Sequence, residues 1–352
     1  MTELNPWISR ISPPNASAAQ AARARWDAIA KPLGSLGLLE DAITQIAALT
    51  GSAEVCLKPR TLLVFCADNG VVAQGVTQCG SDVTASVAQA LAEGRSTVNA
   101  MARIAGCDVC AVDVGILDGT PPHVMNRRVR NGTEDIATGP AMSRRDCLAA
   151  IHTGAMLAEE QAQRGVKLLA VGEMGIGNTT TAAAVASVLL DRPPEEIVGR
   201  GAGLSDAGLS RKREAVQTAL AINHPDPSDV VDVLTKVGGL DLAAMCGAFL
   251  GAAACRLPVL IDGMISAAAA LCAVRLCPGA NSAMLASHVS AEPASVAILQ
   301  ALGKRPLITA KMRLGEGGGA VSAMPLLDIA LEVYNSGQTF DRLGIESYTK
   351  QS

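Results

Sequence analysis

The chain has 352 residues, of which 49% are hydrophobic, 18% charged and only 2% aromatic. This length allows one large α/β domain, alone or with a small appendage, whose core must come from Ala, Val, Leu and Ile. The net charge of −4 excludes the basic surface of a nucleic-acid-binding protein. No apolar run reaches the roughly eighteen residues of a membrane span, and the N-terminus lacks a signal-peptide core. We therefore expect a soluble cytoplasmic protein without nucleic-acid or membrane partners.

The ten cysteines are scattered through apolar segments, where a free cysteine behaves as a small hydrophobic residue. Cys107 and Cys110 have the spacing of a redox pair, but no second pair follows them. The four histidines do not stand at the spacing of metal ligands. We interpret the cysteines as core residues, and we predict no metal site and no cofactor.

The first fifty residues have a helical pattern. Ser17 is a plausible N-cap for a helix that runs to residue 30, and a glycine-rich break at 31–37 separates it from a second helix at 38–49. This part resembles a helical appendage more than a part of a sheet.

From residue 60 onward, short apolar runs alternate with longer helical stretches. That alternation predicts βα units and a mostly parallel sheet, whose ligands bind at the carboxyl ends of the strands. We predict strands at 61–66, 109–114, 167–171, 258–261 and 306–308. We predict helices at 82–105, 143–164, 179–190, 205–222, 240–255 and 264–277, and a closing helix from 320 to 333.

Residues 172–181, GEMGIGNTTT, join a predicted strand to a predicted helix through a glycine-rich turn. Glycines let a ligand approach the backbone, and the free N–H groups of the first helical turn bind anions. The spacing imitates a P-loop, but Asn178 stands at the lysine position, which favours a single phosphate over a nucleoside triphosphate. Glu173 would repel that phosphate and would suit ribose hydroxyls. A purely structural turn is the alternative, because such turns also occur without ligands.

A second glycine-rich turn, 199–206, leads into a helix that carries Lys212. Its N–H groups and the lysine could bind a phosphate on the side opposite the first glycine turn. Alternatively, the segment could be a capped helix with a solvated basic face. Asp262 closes a predicted strand and could bind ribose or cap the next helix. The polar segment 287–293 fits a helix start better than a site when it is taken alone.

Glu316 stands alone among glycines in LGEGGG. A carboxylate with few polar neighbours holds its proton more tightly, which suits a general base. A surface-loop glutamate is the alternative, and the local pattern does not separate the two.

Eight segments, taken together and in this order, resemble the nicotinate-nucleotide:dimethylbenzimidazole phosphoribosyltransferase family, which makes the lower-ligand nucleotide of cobamides. The resemblance covers about residues 30–335. The segments are KPLGSLG (31–37), ADNGV (67–71), GEMGIGNTT (172–180), GRGAGLSDAGLSRK (199–212), GGLDLAAMCG (238–247), LIDGMISAAAAL (260–271), SHVSAEP (287–293) and RLGEGGGA (313–320).

The resemblance implies an enzyme that moves the phosphoribosyl group of nicotinate mononucleotide to an aromatic base and releases nicotinate. It implies a Rossmann-like sheet, here residues 56–330, with a small helical domain from residues 1–55 and 331–352, and a dimer. Glu316 matches the catalytic base, and Glu173 could stabilise positive charge on the ribose. The expected nucleotide-binding residues are Gly175, Gly177, Asn178, Thr179, Thr180, Gly201, Ala202, Gly203, Lys212, Asp262 and Ser290. The expected base-binding residues are Asp68, Asn69, Thr77, Ser86 and Leu314.

Two positions depart from the pattern of benzimidazole users. Asn69 stands where we expect His, and Ser86 stands where we expect Gln, which opens volume in the base pocket. Some relatives attach phenol or p-cresol and work as paired dissimilar subunits, so a phenolic acceptor and a heterodimer with a paralogue are alternatives. A non-catalytic nucleotide-binding subunit is a further alternative, although the presence of both Glu173 and Glu316 argues against it.

Overall fold

A computed structural model describes residues 4–349, and its centre is a six-stranded, entirely parallel sheet. The strand order is β3-β2-β1-β4-β5-β6, which is the order of a doubly wound Rossmann sheet. The predicted α/β, Rossmann-like fold is therefore confirmed. The strands are β1 Arg60–Ala67, β2 Asp108–Gly115, β3 Met125–Asn126, β4 Leu168–Met174, β5 Val259–Ile261 and β6 Met284–Ala286.

Helices cover both faces of the sheet, and none in the described part of the chain is long and apolar enough to cross a membrane. They are α1 Asn5–Ile8, α2 Ala16–Ala28, α3 Leu38–Thr50, α4 Asp82–Ala92, α5 Thr97–Ala105, α6 Arg144–Gln163, α7 Asn178–Leu190, α8 Pro194–Ile197, α9 Asp206–Asn223, α10 Val230–Val237, α11 Leu240–Ala254, α12 Met264–Leu276, α13 Ala294–Ala301, α14 Gly318–Ser336 and α15 Phe340–Leu343.

Three local predictions are wrong. Residues 306–308 form no strand, because the chain there passes the end of β6 and makes only one isolated bridge, Ile308 to His288. The predicted helix 82–105 is two helices, because Ser96 begins α5 with a capping box. Asn15, rather than Ser17, caps α2 by accepting a hydrogen bond from the Ala18 N–H group.

Alternate side chains of the strands enter two apolar cores, one on each face of the sheet. Leu63 and Phe65 of β1 join the core that contains α6, α11 and α12. Leu62 and Val64 join the other core, which contains α3, α5 and α14. Near-continuous burial on both faces is typical of a parallel sheet covered by helices.

The N-terminal helices pack on the closing helix. Trp26 of α2 and Tyr334 of α14 lie with their ring centroids 4.9 Å apart, and Tyr334 donates a hydrogen bond to the Ala53 carbonyl. The proposed boundary between residues 330 and 331 lies inside α14, and residues 1–3 and 350–352 of the proposed small domain lie outside the described range. The division into two domains stays a prediction.

Helices α6 and α11 approach each other so closely that glycines are required between them. A Cβ atom on Gly154 would collide with the backbone of Ala244. We expect Gly154→Ala to lower the free energy of unfolding by about 1–3 kcal/mol, the usual cost of overpacking a core. Gly139→Ala is the control, because a Cβ atom there has no neighbour within 4 Å. Chemical denaturation of both variants checks this expectation. Equal losses of unfolding free energy in the two variants would contradict it.

Candidate functional site

The site lies at the carboxyl edge of the sheet, where the segments that follow β4, β5 and β6 meet. Beside it, the connections of the neighbouring strands β1 and β4 leave in opposite directions, which opens a crevice for ligands. The turn after β4 fits tightly against the end of β1, since a Cβ atom on Gly175 would collide with the Ala67 carbonyl oxygen. Gly177 then begins α7 with a φ of +94°, a conformation that favours glycine.

A cavity of about 170 Å³ lies at this edge. The predicted site residues that line it are Glu173, Gly175, Asn178, Thr179, Gly201, Ala202, Asp262, Ser290 and Leu314. Gly177, Thr180, Gly203, Lys212 and Glu316 stand close by but outside the lining. A larger cavity, of about 1000 Å³, lies between α2, α3 and residues 345–349, and no predicted site residue lines it.

A buried cation lies at one end of the cavity, behind the residues that line it. Lys212 of α9 is fully buried, and its Nζ donates a hydrogen bond of 2.8 Å to Thr179 Oγ1. Gly201 lies over both groups, since a Cβ atom there would stand 3.0 Å from Thr179 Oγ1 and 3.4 Å from Lys212 Nζ. Burial lowers the pKa of Lys212 to about 8, and the nearby Glu292 partly opposes that shift. This end of the cavity favours an anion.

Glu292 is a site residue that the sequence analysis missed. Its Oε1 accepts a hydrogen bond of 3.0 Å from the Gly201 N–H group, and its buried Oε2 has no hydrogen-bond partner among residues 4–349. Glu292 also lines the cavity and donates its own N–H group to Ser290 Oγ. It therefore holds the glycine turn 199–203 against the segment 287–293. In the sequence, its position in the family motif SHVSAEP is the one feature that points to a role in the site.

The other end of the cavity is acidic. Glu173, at the end of β4, accepts a hydrogen bond from Asn178 Nδ2, and the same nitrogen donates at 3.0 Å to Asp241 Oδ2 of α11. Burial and the neighbouring Asp241 charge raise the pKa of Glu173 to about 8, and burial raises the pKa of Asp241 to about 6. Asp241 was not predicted as a site residue. Within residues 4–349, no group of three or more His, Cys, Asp or Glu is arranged to hold a metal ion.

Asp262 caps a helix, but not the one that follows it. Its Oδ1 accepts from the N–H groups of Gly319, at 2.7 Å, and Ala320, at 3.0 Å, while its Oδ2 accepts from Gly317 at 3.2 Å. It thus caps α14 and fixes the loop that carries Glu316. Burial raises the pKa of Asp262, and His288 opposes the shift.

Glu316 stands in the left-handed region, with a φ of +59°, and its N–H group donates to the Glu173 carbonyl oxygen at 3.2 Å. Its carboxylate faces Ser96 and Val98 at the N-terminus of α5, and within the described part of the chain its buried Oε2 has no hydrogen-bond partner. Burial raises the pKa of Glu316, while those two neighbours partly oppose the shift. A carboxylate whose proton affinity is raised and that is partly shielded from water can act as a base.

The predicted base-binding residues do not form one cluster. Leu314 lines the cavity, while Asp68 and Asn69 are buried beside it and bind Leu117 N–H and Thr181 Oγ1 respectively. Thr77 and Ser86 lie outside the cavity and donate to nearby backbone carbonyls. Their role in base binding stays a prediction.

Comparison with known proteins decides the family. A family model described as a phosphoribosyltransferase matches residues 11–345. The chain belongs to this phosphoribosyltransferase family. The nicotinate-nucleotide–dimethylbenzimidazole phosphoribosyltransferase of Acetivibrio thermocellus is 47% identical over 328 residues, which is 93% of each chain. The protein of the same name from Ruminiclostridium cellulolyticum is 47% identical over 342 residues, or 97% of each chain.

Solved structures of family members have the same fold. CobT from Thermus thermophilus aligns with a TM-score of 0.90 at 39% identity, covering 94% of this chain and 100% of that chain. The family resemblance drawn from the sequence motifs is confirmed, and the chain is a phosphoribosyltransferase, that is, a pentosyltransferase.

The raised pKa of Glu173 predicts how stability depends on pH. Between about pH 4.5 and 8 the folded protein holds a proton that the unfolded chain has lost, so the free energy of unfolding falls as pH rises. The slope from this group approaches about 1.4 kcal/mol per pH unit. Denaturation between pH 6 and 8 should show a flatter slope for Glu173→Gln, whereas exposed Glu214→Gln should keep the slope of the parent. A Glu173→Gln slope equal to that of the parent would contradict the pKa shift.

Proposed function

We propose that the chain transfers the 5-phosphoribosyl group of nicotinate mononucleotide to a benzimidazole lower-ligand base and releases nicotinate, as a step of cobamide biosynthesis. The observation that carries this proposal is a cavity with buried carboxyls at one end and, at the other, a buried lysine that donates a hydrogen bond to the lining residue Thr179. Such a division of charge fits a molecule with an anionic phosphate at one end and a cationic pyridinium ring at the other.

The phosphate belongs at the cationic end. Lys212 Nζ, Thr179 Oγ1 and the N–H group of Gly201 converge there, and a buried lysine strengthens a charged hydrogen bond to phosphate. The Gly201 N–H group is engaged by Glu292. The cavity is smaller than the roughly 300 Å³ or more of a typical ligand pocket. We therefore expect the turn 199–203 and Glu292 to move apart when the nucleotide binds.

The leaving group requires little help. The pyridinium ring of the nucleotide begins as a cation and leaves as the neutral ring of nicotinate, so no general acid is needed. Positive charge spreads over the ribose in the transition state, and the buried carboxyl of Glu173 lies where it could stabilise that charge as a carboxylate. This electrostatic role needs no metal ion.

The incoming base must lose a proton, and Glu316 is the candidate acceptor. Its backbone joins the end of β4, while its carboxylate points toward the N-terminus of α5, away from the lining of the nucleotide cavity. The base would then approach between α5, α4 and Leu314. Ile176 N–H donates to Thr84 Oγ1, which ties α4 to the glycine turn on that side.

Benzimidazole is favoured over a phenol as the acceptor because relatives at 47% identity carry the dimethylbenzimidazole name. Retention of both Glu173 and Glu316 in buried or half-buried positions supports a catalytic chain over a purely nucleotide-binding subunit. The dimeric state and the cytoplasmic location stay predictions, and sedimentation of the purified chain tests the former.

The phosphate assignment predicts a specific defect in Lys212→Met, which keeps the length of the side chain and removes its charge. A charged hydrogen bond is worth about 1.5–3 kcal/mol, so the KM for nicotinate mononucleotide should rise roughly 10- to 100-fold. Lys304→Met is a matched control, since burial also lowers the pKa of Lys304 to about 8, but this lysine donates to the Asn281 carbonyl, whereas Lys212 donates to Thr179 of the cavity lining. Steady-state kinetics of both variants measure this effect. If Lys212→Met and Lys304→Met have equal KM values for nicotinate mononucleotide, Lys212 does not bind the phosphate.

The general-base assignment predicts that Glu316→Gln lowers kcat by about 10²- to 10⁴-fold, the usual contribution of a positioned base. Calorimetric binding of nicotinate mononucleotide should change little, because the amide keeps the shape of the side chain. Glu332→Gln, at an exposed position of α14, is the control. Near-normal kcat in Glu316→Gln would overturn the assignment, and loss of nucleotide binding without loss of chemistry would move Glu316 to the ribose.

A further inference from the structure

Glu173 and Asp241 are joined by one side-chain amide. Asn178 Nδ2 donates to Glu173 Oε2 and, at 3.0 Å, to Asp241 Oδ2. Glu173 lines the cavity, whereas Asp241 is completely buried behind it and does not. Asn178 therefore holds the two carboxyls close together, where their negative charges repel, and only Glu173 can meet a ligand.

The groups around this pair are mostly acidic. Asp262 after β5 and Glu316 before α14 act on Glu173, and Asp68 after β1 acts on Asp241. His288 stands beside Asp262. Across residues 4–349, no ion pair includes Glu173 or Asp241. Two buried carboxyls without a cation cannot both ionise at low cost, so the pair retains a proton.

We propose that Asp241, held beside Glu173 by the Asn178 amide, is a positioning residue whose negative charge keeps one proton on Glu173 in the free enzyme, and that this proton leaves when a nucleotide with a pyridinium ring binds. This inference rests on the proposed function, because it needs a substrate whose ring carries a fixed positive charge. The raised pKa values of both carboxyls, to about 8 for Glu173 and about 6 for Asp241, agree with it.

The proton balance is simple. The Glu173 carboxylic acid releases its proton to solvent and becomes a carboxylate that faces the ring cation, whose quaternary nitrogen has no proton of its own to lose. The C–N bond to the ring breaks as the acceptor nitrogen bonds to the ribosyl carbon, and the acceptor gives up its proton to Glu316. The bonding electron pair leaves with the ring nitrogen, so the ring of the released nicotinate is neutral and only its carboxylate is charged. The cation that favoured the Glu173 carboxylate is then gone, so Glu173 takes a proton back from solvent. The neutral site holds the product more weakly than the carboxylate held the substrate.

The test is calorimetric titration of nicotinate mononucleotide into the full-length protein at pH 7, in two buffers of different ionisation enthalpy. The parent should release close to one proton per bound nucleotide, and its affinity should rise with pH up to about 7, above which loss of the Lys212 proton, whose pKa is about 8, opposes the rise. Asp241→Asn removes the repulsion, which lowers the pKa of Glu173, although burial still raises it. That variant should release clearly less than one proton per bound nucleotide, and its affinity should depend less on pH than that of the parent, an effect that a purely structural role for Asp241 would not produce.

Asp113→Asn is the matched control, because Asp113 is equally buried at the same edge but is paired with Arg128. It should leave the proton count unchanged. If Asp241→Asn fails to fold, Glu173→Gln serves instead, and it should abolish proton release because the titrating carboxyl is gone. Full release by either variant, or nucleotide binding by the parent without any release, would overturn the inference while the proposed function stands. Absence of nucleotide binding by the parent would overturn both.

Discussion

The close fit between the ends of β1 and β4 is the constraint on which the site depends. Gly175 must pass the Ala67 carbonyl without a side chain, and Gly177 must adopt a positive φ to begin α7. This turn directs the first two side chains of α7, Asn178 and Thr179, toward opposite ends of the cavity. Asn178 binds the buried carboxyls, and Thr179 binds the buried lysine. One strand–turn–helix unit thus connects the acidic and the cationic ends of a single cavity.

The glycine loop before α14 depends on the same edge of the sheet. Asp262 accepts N–H groups from Gly317, Gly319 and Ala320, which anchors the loop to the end of β5. The Glu316 N–H group adds a bond to the carbonyl of Glu173. The two glutamates therefore have fixed relative positions, although their carboxylates face different surroundings. This separation suits a reaction in which one group faces the nucleotide and the other faces the acceptor.

The sequence revealed the parts of this arrangement whose signal is local. Glycine turns after apolar runs identified the edge of the sheet, and eight ordered motifs identified the family. Asp241 and Glu292 were missed because their partners, Asn178 and Gly201, lie far away in the chain, so no local pattern marks them. The strand β6 has only three residues, too few for a periodic signal. The neighbouring run 306–308 looked more like a strand, yet it only passes the end of β6.

The central claim is that a single nucleotide spans the cavity from Lys212 to Glu173. A crystal structure of the protein with nicotinate mononucleotide, solved in the absence of an acceptor base, tests this most directly. The account predicts phosphate oxygens within hydrogen-bond distance of Lys212 Nζ and the Gly201 N–H group, with Glu292 displaced from Gly201 and the pyridinium ring toward Glu173. Phosphate bound elsewhere, for instance in the larger cavity beside residues 345–349, would contradict the account.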